Sequence, residues 1–487
     1  MHMAKGKNCH AYLTVYLALT MTVILSLCLA LIEGVRSNAI RMEAECVMDI
    51  GLNSILAEYH RELFRQYNLL AIDSSYGTFR SGSGNVERHL YGYLERNVSM
   101  EDIFLEEVLY RDFLAMSIEA VDVTKVSILT DNSGAVFRKR AVEAIKDDVG
   151  IALMEEIAEW TQIVEDNQLL ERDISKEKDE LDEKLEEYNG QKVAISEKEW
   201  ITIEIENPTL DLEDFWKSGN LIFLVEEPGK LSPRKLSLEG LVETRMNQGE
   251  VSAGNYPLQT MSKEEQSLEQ FFFQEYLLKY MGRYGCVDEN NALSYQIEYL
   301  LVGEDSDLVN LITVANVICG LRGVANIIYL YSDEEKCLEA EILATALATL
   351  FQVPEAGELL KHILLYGWAY AESMYDVRVL LGGGRVPIIK DYESWYFDLQ
   401  RALDLNFEKQ EEAVGLCYED YLRILMVTTD LDILTRRAMN MVEADIRLTE
   451  GNAAFRLDSC YDCVEASVKI GSAYGYQYEI TRQKKYE

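Results

Sequence analysis

Proline is scarce in this chain, at 6 of 487 residues. Long extended linkers, mucin-like stalks and strings of small β modules need more of it, so those architectures are excluded. Cysteine is also thin, at 9 residues, too few for a disulfide-stapled scaffold of this length. Positive charge is outnumbered, with 46 Lys and Arg against 84 Asp and Glu, a formal net charge of −38. Nucleic-acid binding requires a basic footprint, so no nucleic acid is expected as a partner. Lying broadly along an anionic lipid surface is disfavoured for the same reason. No internal repeat is visible. With 48% hydrophobic and 27% charged residues, the chain holds ample apolar material for a large folded body.

One long apolar run stands near the start. "AYLTVYLALTMTVILSLCLALI", Ala11 to Ile32, contains no charge, no proline and no glycine. As a helix it reaches roughly 33 Å, the thickness of a bilayer's hydrocarbon core. A secretory signal has a shorter apolar region, about 7–15 residues, closed by a small-x-small cleavage site. "SNA" at Ser37–Ala39 imitates such a site but lies beyond the run. Cys28 follows Leu27, which does not suit lipoprotein processing. The run therefore predicts a retained transmembrane helix over 11–32 behind a short tail, 1–10, with the lipid bilayer as a partner. Lys5 and Lys7 before it balance Arg36 and Arg41 after it, so charge leaves the orientation open.

Leu52, Ile55, Leu56, Tyr59, Leu63, Tyr67 and Leu70 then recur at helical spacing, with Glu58, Arg61, Glu62 and Arg65 between them. This is one apolar stripe. It predicts an amphipathic stalk helix over 33–72, continuous or nearly collinear with the span and packed under a head. Beyond it, residues 73–257 read as a mixed α/β head. "VERHLYGYLERNV" and "LEEVLYRDFLAM" supply helical stripes, and "EAVDVTKVSIL" alternates as a strand does. Residues 138–190 are strongly helical. There, "LLERDISKEKDELDEKLEEYNG" lacks the second seam row of a coiled coil, and predicts an exposed helix, one arm of a hairpin ended by Gly190. "WITIEIENP" and "NLIFLVEEPGK" point to strands within 196–250. From 258 to 487 the pattern is helical nearly to the end. The apolar stretch 308–331 is interrupted by Asn310, Asn316, Arg322 and Asn326, which fits a buried helix better than a second span. The fold class expected is mainly α with a smaller β region.

Motifs for chemistry are incomplete. Asp73 and Ser75 match two positions of a metal-ion adhesion site, but Gly77 stands at the third. A helix-ending turn accounts for them. Cys460 and Cys463 have C-x-x-C spacing without a second pair or a histidine partner for zinc. They are candidates for a local disulfide in an oxidising exterior, with pairing to Cys417 or Cys46 as the other option, or else buried thiols. "LLGGGRVPII" fits neither the phosphate-loop nor the dinucleotide pattern, and reads as a turn capping a helix at its first glycine. His60 and His362 lie in helical patterns. No set of catalytic roles can be assembled, so no enzyme, no cofactor and no metal are expected.

The stretch "AYLTVYLALTMTVILSLCLALIEGVRSNAIRMEAECVMDIGLNSILAEYHRELFRQYNLLAIDSSYG" resembles the start of an uncharacterised family of bacterial single-pass membrane proteins encoded with Tad (Flp-type) pilus genes. "IEYLLVGEDSDLVNLITVANVICGLRGVANIIYLYSD", "DVRVLLGGGRVPIIKDYESW" and "YEDYLRILM" are similar to internal segments of that family. The resemblance implies a cytoplasmic N-terminus, an extracytoplasmic body at the cell membrane, and pilus-assembly or pilin proteins as partners beside TadE/TadG-like pseudopilins. The chain departs from pilins at one point. Residue five after Gly6 is Ala11, and the apolar run holds no Glu, so a retained assembly component is expected rather than a polymerising subunit. The alternative is an anchored adhesin or ligand-binding module with a groove in 258–487.

Overall fold

The computed structural model describes residues 8–98, 114–196, 199–210, 225, 228–246, 262–404 and 414–486. It is mainly helical with a smaller antiparallel β part, as expected. The chain divides into two compact units: Met1–Phe137 with Gln248–Thr260 and Thr449–Glu487, and Arg138–Asn247 with Met261–Leu448. The serial division at 73 and 258 read from the sequence is replaced by a nested one, in which most of 138–448 lies between two parts of the first unit.

The first unit begins with α1 (Asn8–Leu56), then α2 (Arg61–Tyr67), β1 (Ile72–Asp73), α3 (Ser83–Val98) and β2 (Met116–Ile128). The second holds most of α4 (Asp131–Ile145), α5 (Ile151–Asp166), α6 (Ile174–Glu186), β3 (Lys192–Ser196), β4 (Glu199–Thr202) and α7 (Val242–Met246). It continues through α8 (Lys263–Tyr280), α9 (Gln296–Val302), α10 (Asp307–Ser332), α11 (Glu334–Leu350), α12 (Gly357–Leu381), α13 (Leu399–Asp404), α14 (Tyr418–Thr428) and α15 (Leu431–Leu448). The chain ends back in the first unit with β5 (Cys460–Ser472) and β6 (Gln477–Lys485).

α1 is unbroken across 49 residues. From Tyr12 to Ile32 its side chains are exposed apart from the half-buried Thr20. The hydroxyls of Thr20, Thr22 and Ser26 donate back to carbonyls of the same helix, which satisfies them within it. This segment is long and apolar enough to cross a membrane. From Ile40 onward the same helix is core: Ala44, Val47, Met48, Leu52 and Ile55 are buried. They pack with Val86, Leu90 and Leu94 of α3 on one face of the sheet, against Val464, Ala466, Val468 and Ile470 of β5. From Ile40 the helix thus packs directly against the rest of the head. The stripe itself is real but divided, because α1 ends at Leu56 and α2 restarts after His60, whose Nδ1 caps it by accepting Leu63 N–H.

The sheet has order β1-β5-β2, with β6 also paired to β5. The strand expected at "EAVDVTKVSIL" is β2, antiparallel to β5 along most of its length. The helical reading of 258–487 fails after Leu448. "CVEASVKIGSAYGYQYEI" is a hairpin whose alternation of Val464, Ala466, Val468 and Ile470 gives one buried face.

In the second unit α10 and α12 pack on each other, with α11 and α6 against α12. The apolar window of α10 is 67% buried, so this is a core helix, as its polar interruptions suggested. α6 is not the exposed arm expected: Ile174, Lys178 and Leu185 are buried. Ile174 Cδ1 lies 2.0 Å from where a side chain on Gly323 would begin, so any larger residue there would force Ile174 to move. β4 overlaps only the start of "WITIEIENP", paired to β3, and Ile203 and Ile205, buried, lie past its end. Most of "LEEVLYRDFLAM" and of "NLIFLVEEPGK" falls outside the described residues.

Gly51 is the close contact between α1 and α3, since a Cβ there would meet Leu94 Cδ2 at 2.7 Å and Leu90 Cδ1 at 3.0 Å. Gly51→Leu is expected to destabilise the first unit by about 1–3 kcal/mol through overpacking. Denaturant unfolding in detergent, followed beside the wild type, checks this.

Candidate functional site

The three internal segments that carry the family resemblance meet in the core of the second unit. Arg322, from "VANVICGLRGVAN" on α10, donates from Nε to Asp376 Oδ2 on α12 at 2.9 Å. Its Nη1 donates to the carbonyls of Pro387 and Ile388 and to Tyr421 of "YEDYLRILM". Its Nη2 donates to Asn326. Lys390 bonds Asp376 Oδ1 at 2.6 Å and Glu372. Glu372 also accepts the backbone N–H groups of Tyr396 and Phe397, at 2.8 and 3.0 Å. Trp368 and Trp395 both donate to Phe397 O.

Two cations thus face two carboxylates, all at most 5% exposed. Burial pushes the Glu372 carboxyl up, against the pull of Lys390. For Asp376 burial acts the same way, but Lys390 and Arg322 outweigh it and hold the group low. Ions taken from water cost several kcal/mol each unless paired and fully hydrogen-bonded. The cluster meets that condition by binding the 385–397 segment to α10 and α12. Chemically it is a clamp, since every charge is committed and closed off from a substrate. The triple glycine serves it: Gly382 caps α12, as expected, and Gly383, with φ +84°, turns the chain toward the clamp.

A second buried carboxylate behaves differently. Glu298 on α9 is fully buried, and its Oε1 accepts Tyr284 N–H and the Tyr418 hydroxyl at 3.0 and 2.9 Å. Its Oε2 has no hydrogen-bond partner among the described residues. Burial pushes this carboxyl up to about 7. Tyr284 and Tyr418 also line a surface depression with Arg283, Cys286, Cys417 and Glu419. No complete acid–base–nucleophile geometry is present there among the described residues. In the first unit, Glu58 collects the hydroxyls of Tyr76 and Tyr93 and Nδ1 of His89, and Tyr76 stacks on His89 at 3.9 Å. That cluster fastens α3 and the turn after β1 to the end of α1.

Of the residues singled out from sequence, Cys460 and Cys463 both lie in β5 as buried thiols. The local disulfide is excluded by the strand itself: residues three apart are about 10 Å apart and point to opposite faces, beyond a disulfide's reach of roughly 7 Å. Gln483 Nε2 donates to Cys463 Sγ, and Cys460 Sγ to Arg456 O. Asp73 ends a short strand, not a helix. Its carboxylate is taken up by Ser75 N–H, the Ser75 hydroxyl and the Ser459 hydroxyl. No group of three or more His, Cys, Asp or Glu suited to a metal occurs among the described residues. His60 is a helix cap bonded to Asn452, and His362 pairs with the Tyr331 hydroxyl. The clamp went unseen in the sequence because its members are 54 and 68 positions apart. The only local hint is that Arg322 and Asn326 are polar inside an apolar helix, four residues apart and so on one face.

Because its folded-state value lies above the ordinary carboxyl value of 4.5, Glu298 burdens the fold only when ionised. The burden is absent below 4.5, grows as pH rises, and is complete above about 7. Glu298→Gln removes this dependence. The melting temperature of wild type minus that of Glu298→Gln should therefore fall between pH 4.5 and 7, and thermal melts across that range check it.

No curated protein and no solved structure matches the chain. A family profile described as "Family of unknown function (DUF5702)" matches residues 198–472, more than half of the 487 residues. The match takes in α8 to α15, including the clamp and Glu298, and most of β5. The chain belongs to the DUF5702 family, of unknown function.

Proposed function

We propose that this protein is a membrane-anchored, extracytoplasmic structural or assembly component of a Tad (Flp-type) pilus system, working without catalysis. The observation that carries the anchored part is α1. Its apolar, exposed segment continues without a break into the core of a head, so the fold needs a surface to cover residues 12–32. A structural role is supported by the clamp, where charges that could serve chemistry are committed to holding a segment in place. The pilus assignment rests on the resemblance of the N-terminal and three internal segments. The N-terminus lies in the cytoplasm and the span is retained. Pilin or platform proteins are the partners, met through the acidic surface of the folded body.

The test is protease accessibility on wall-stripped cells, with intact-mass analysis and crosslinked co-purification from a strain that assembles the pilus. Digestion of the head from outside, an intact N-terminus and recovery of pilus components are expected. A protected head, or a crosslinked head that recovers no pilus component, would contradict the proposal.

A further inference from the structure

The tip of the β5–β6 hairpin lies at a fixed height beside α1. Tyr476 donates its hydroxyl to Glu33 at 2.6 Å, the guanidinium of Arg36 covers the Tyr474 ring at 3.8 Å, and the Tyr478 hydroxyl is 2.8 Å from Ser37 Oγ. The tip itself is tightly built. Ser472 N–H donates to Tyr476 O and Gly475 N–H to Ser472 O, with Gly475 at φ +85°. This is a three-residue loop of a common hairpin class, and glycine serves its left-handed position.

The height follows from helix geometry. If Ala11–Ile32 fills the hydrocarbon core, Glu33 to Ser37 climb the next ~7 Å at 1.5 Å per residue. That is the depth of the headgroup layer on one side of a bilayer. Whatever touches Glu33, Arg36 and Ser37 laterally is at that depth as well. The three residues touching them are tyrosines, whose apolar rings and polar tips suit the boundary between acyl chains and headgroups. Tyr474 is 44% exposed, so its ring is open to a lipid. Arg36 lies beside it, held by an ion pair to Glu33 at 3.1 Å.

We propose that the β5–β6 hairpin tip, Ala473 to Tyr476, is a lipid-binding element that sits in the headgroup–acyl boundary of the bilayer spanned by α1. This rests on α1 spanning a bilayer, and gives the head a second membrane contact formed by the far end of the chain. The opposite end of β5 supplies the control. From Ser472 back to Cys460 the strand runs roughly 40 Å. β1 pairs with that distant end, and the exposed Phe79 follows it by a few residues.

A coumarin amino acid, spectrally separate from tryptophan, is placed singly at Leu19, Tyr474, Ala473 or Phe79 of the full-length protein in nanodiscs. Their phosphatidylcholine is brominated either near the headgroup or deep in the acyl chain. Expected are loss of emission at 19 with deep bromines, loss at 474 with shallow bromines, and no loss at 79. Position 473 gives the same reading as 474 without removing the ring that Arg36 covers. Quenching at 19 with none at 473 and 474 overturns the lipid-binding tip and leaves the anchor standing. No quenching at 19 overturns the anchor, and the proposal with it.

Discussion

The first unit depends on α1 remaining one helix from the apolar segment into the sheet. The helix and β6 run side by side in the same direction, and their rises agree. Glu33 to Leu56 spans about 35 Å at helical rise, and Tyr476 to Tyr486 spans roughly 33 Å at strand rise. Contacts occur along that whole length: Tyr476 with Glu33, Tyr478 with Ser37, Arg482 with Glu45, and the Tyr486 hydroxyl with Leu56 O. The polar contacts set register, while burial supplies most of the attraction. Val47, Met48, Leu52 and Ile55 each contribute about 1.5–3 kcal/mol when fully buried, an upper estimate because the unfolded chain already hides some apolar area. The rim bonds lie at the surface, where water and salt weaken them. The first and last segments of the sequence are therefore one folding unit, and the rest of the fold is carried on a loop between β2 and β5.

The second unit is organised by committed charge. Replacing buried ion networks with apolar side chains often leaves a protein as stable or more so. The clamp is therefore better understood as fixing where the 385–397 segment lies than as a source of net stability. Arg322 reaches three elements at once, and no apolar side chain could hold two backbone carbonyls and a carboxylate in one geometry. Glu298 stands apart, because one of its oxygens has no partner among the described residues and its carboxyl stays protonated to unusually high pH.

Sequence reasoning succeeded where a pattern is local. The apolar run, the α1 stripe, β2, the α10 core helix and the Gly382 cap each have their cause within a few residues. It failed where the cause is distant. Periodicity shows that α1 has an apolar face but not what covers it, and β6 comes from 430 residues further on. α6 looked solvated because Glu177 and Lys184 break its seam, yet Glu177 is taken by Arg172 and Tyr366, and Ile174 fits against a glycine on α10. The C-terminal hairpin was legible in principle. Val464, Ala466, Val468 and Ile470 alternate strictly with Glu465, Ser467 and Lys469. The clamp was not legible, since nothing in one sequence links Arg322 to Asp376 and Lys390.

The most direct measurement of the central claim is hydrogen exchange of the α1 amides from 33 to 56, in the full-length protein held in nanodiscs. A helix that runs unbroken from bilayer to sheet predicts protection of 33–40 comparable to that of the buried turns at 44–55. Rapid exchange confined to 33–40, with 44–55 protected, would mean a flexible joint between span and head and would contradict the account.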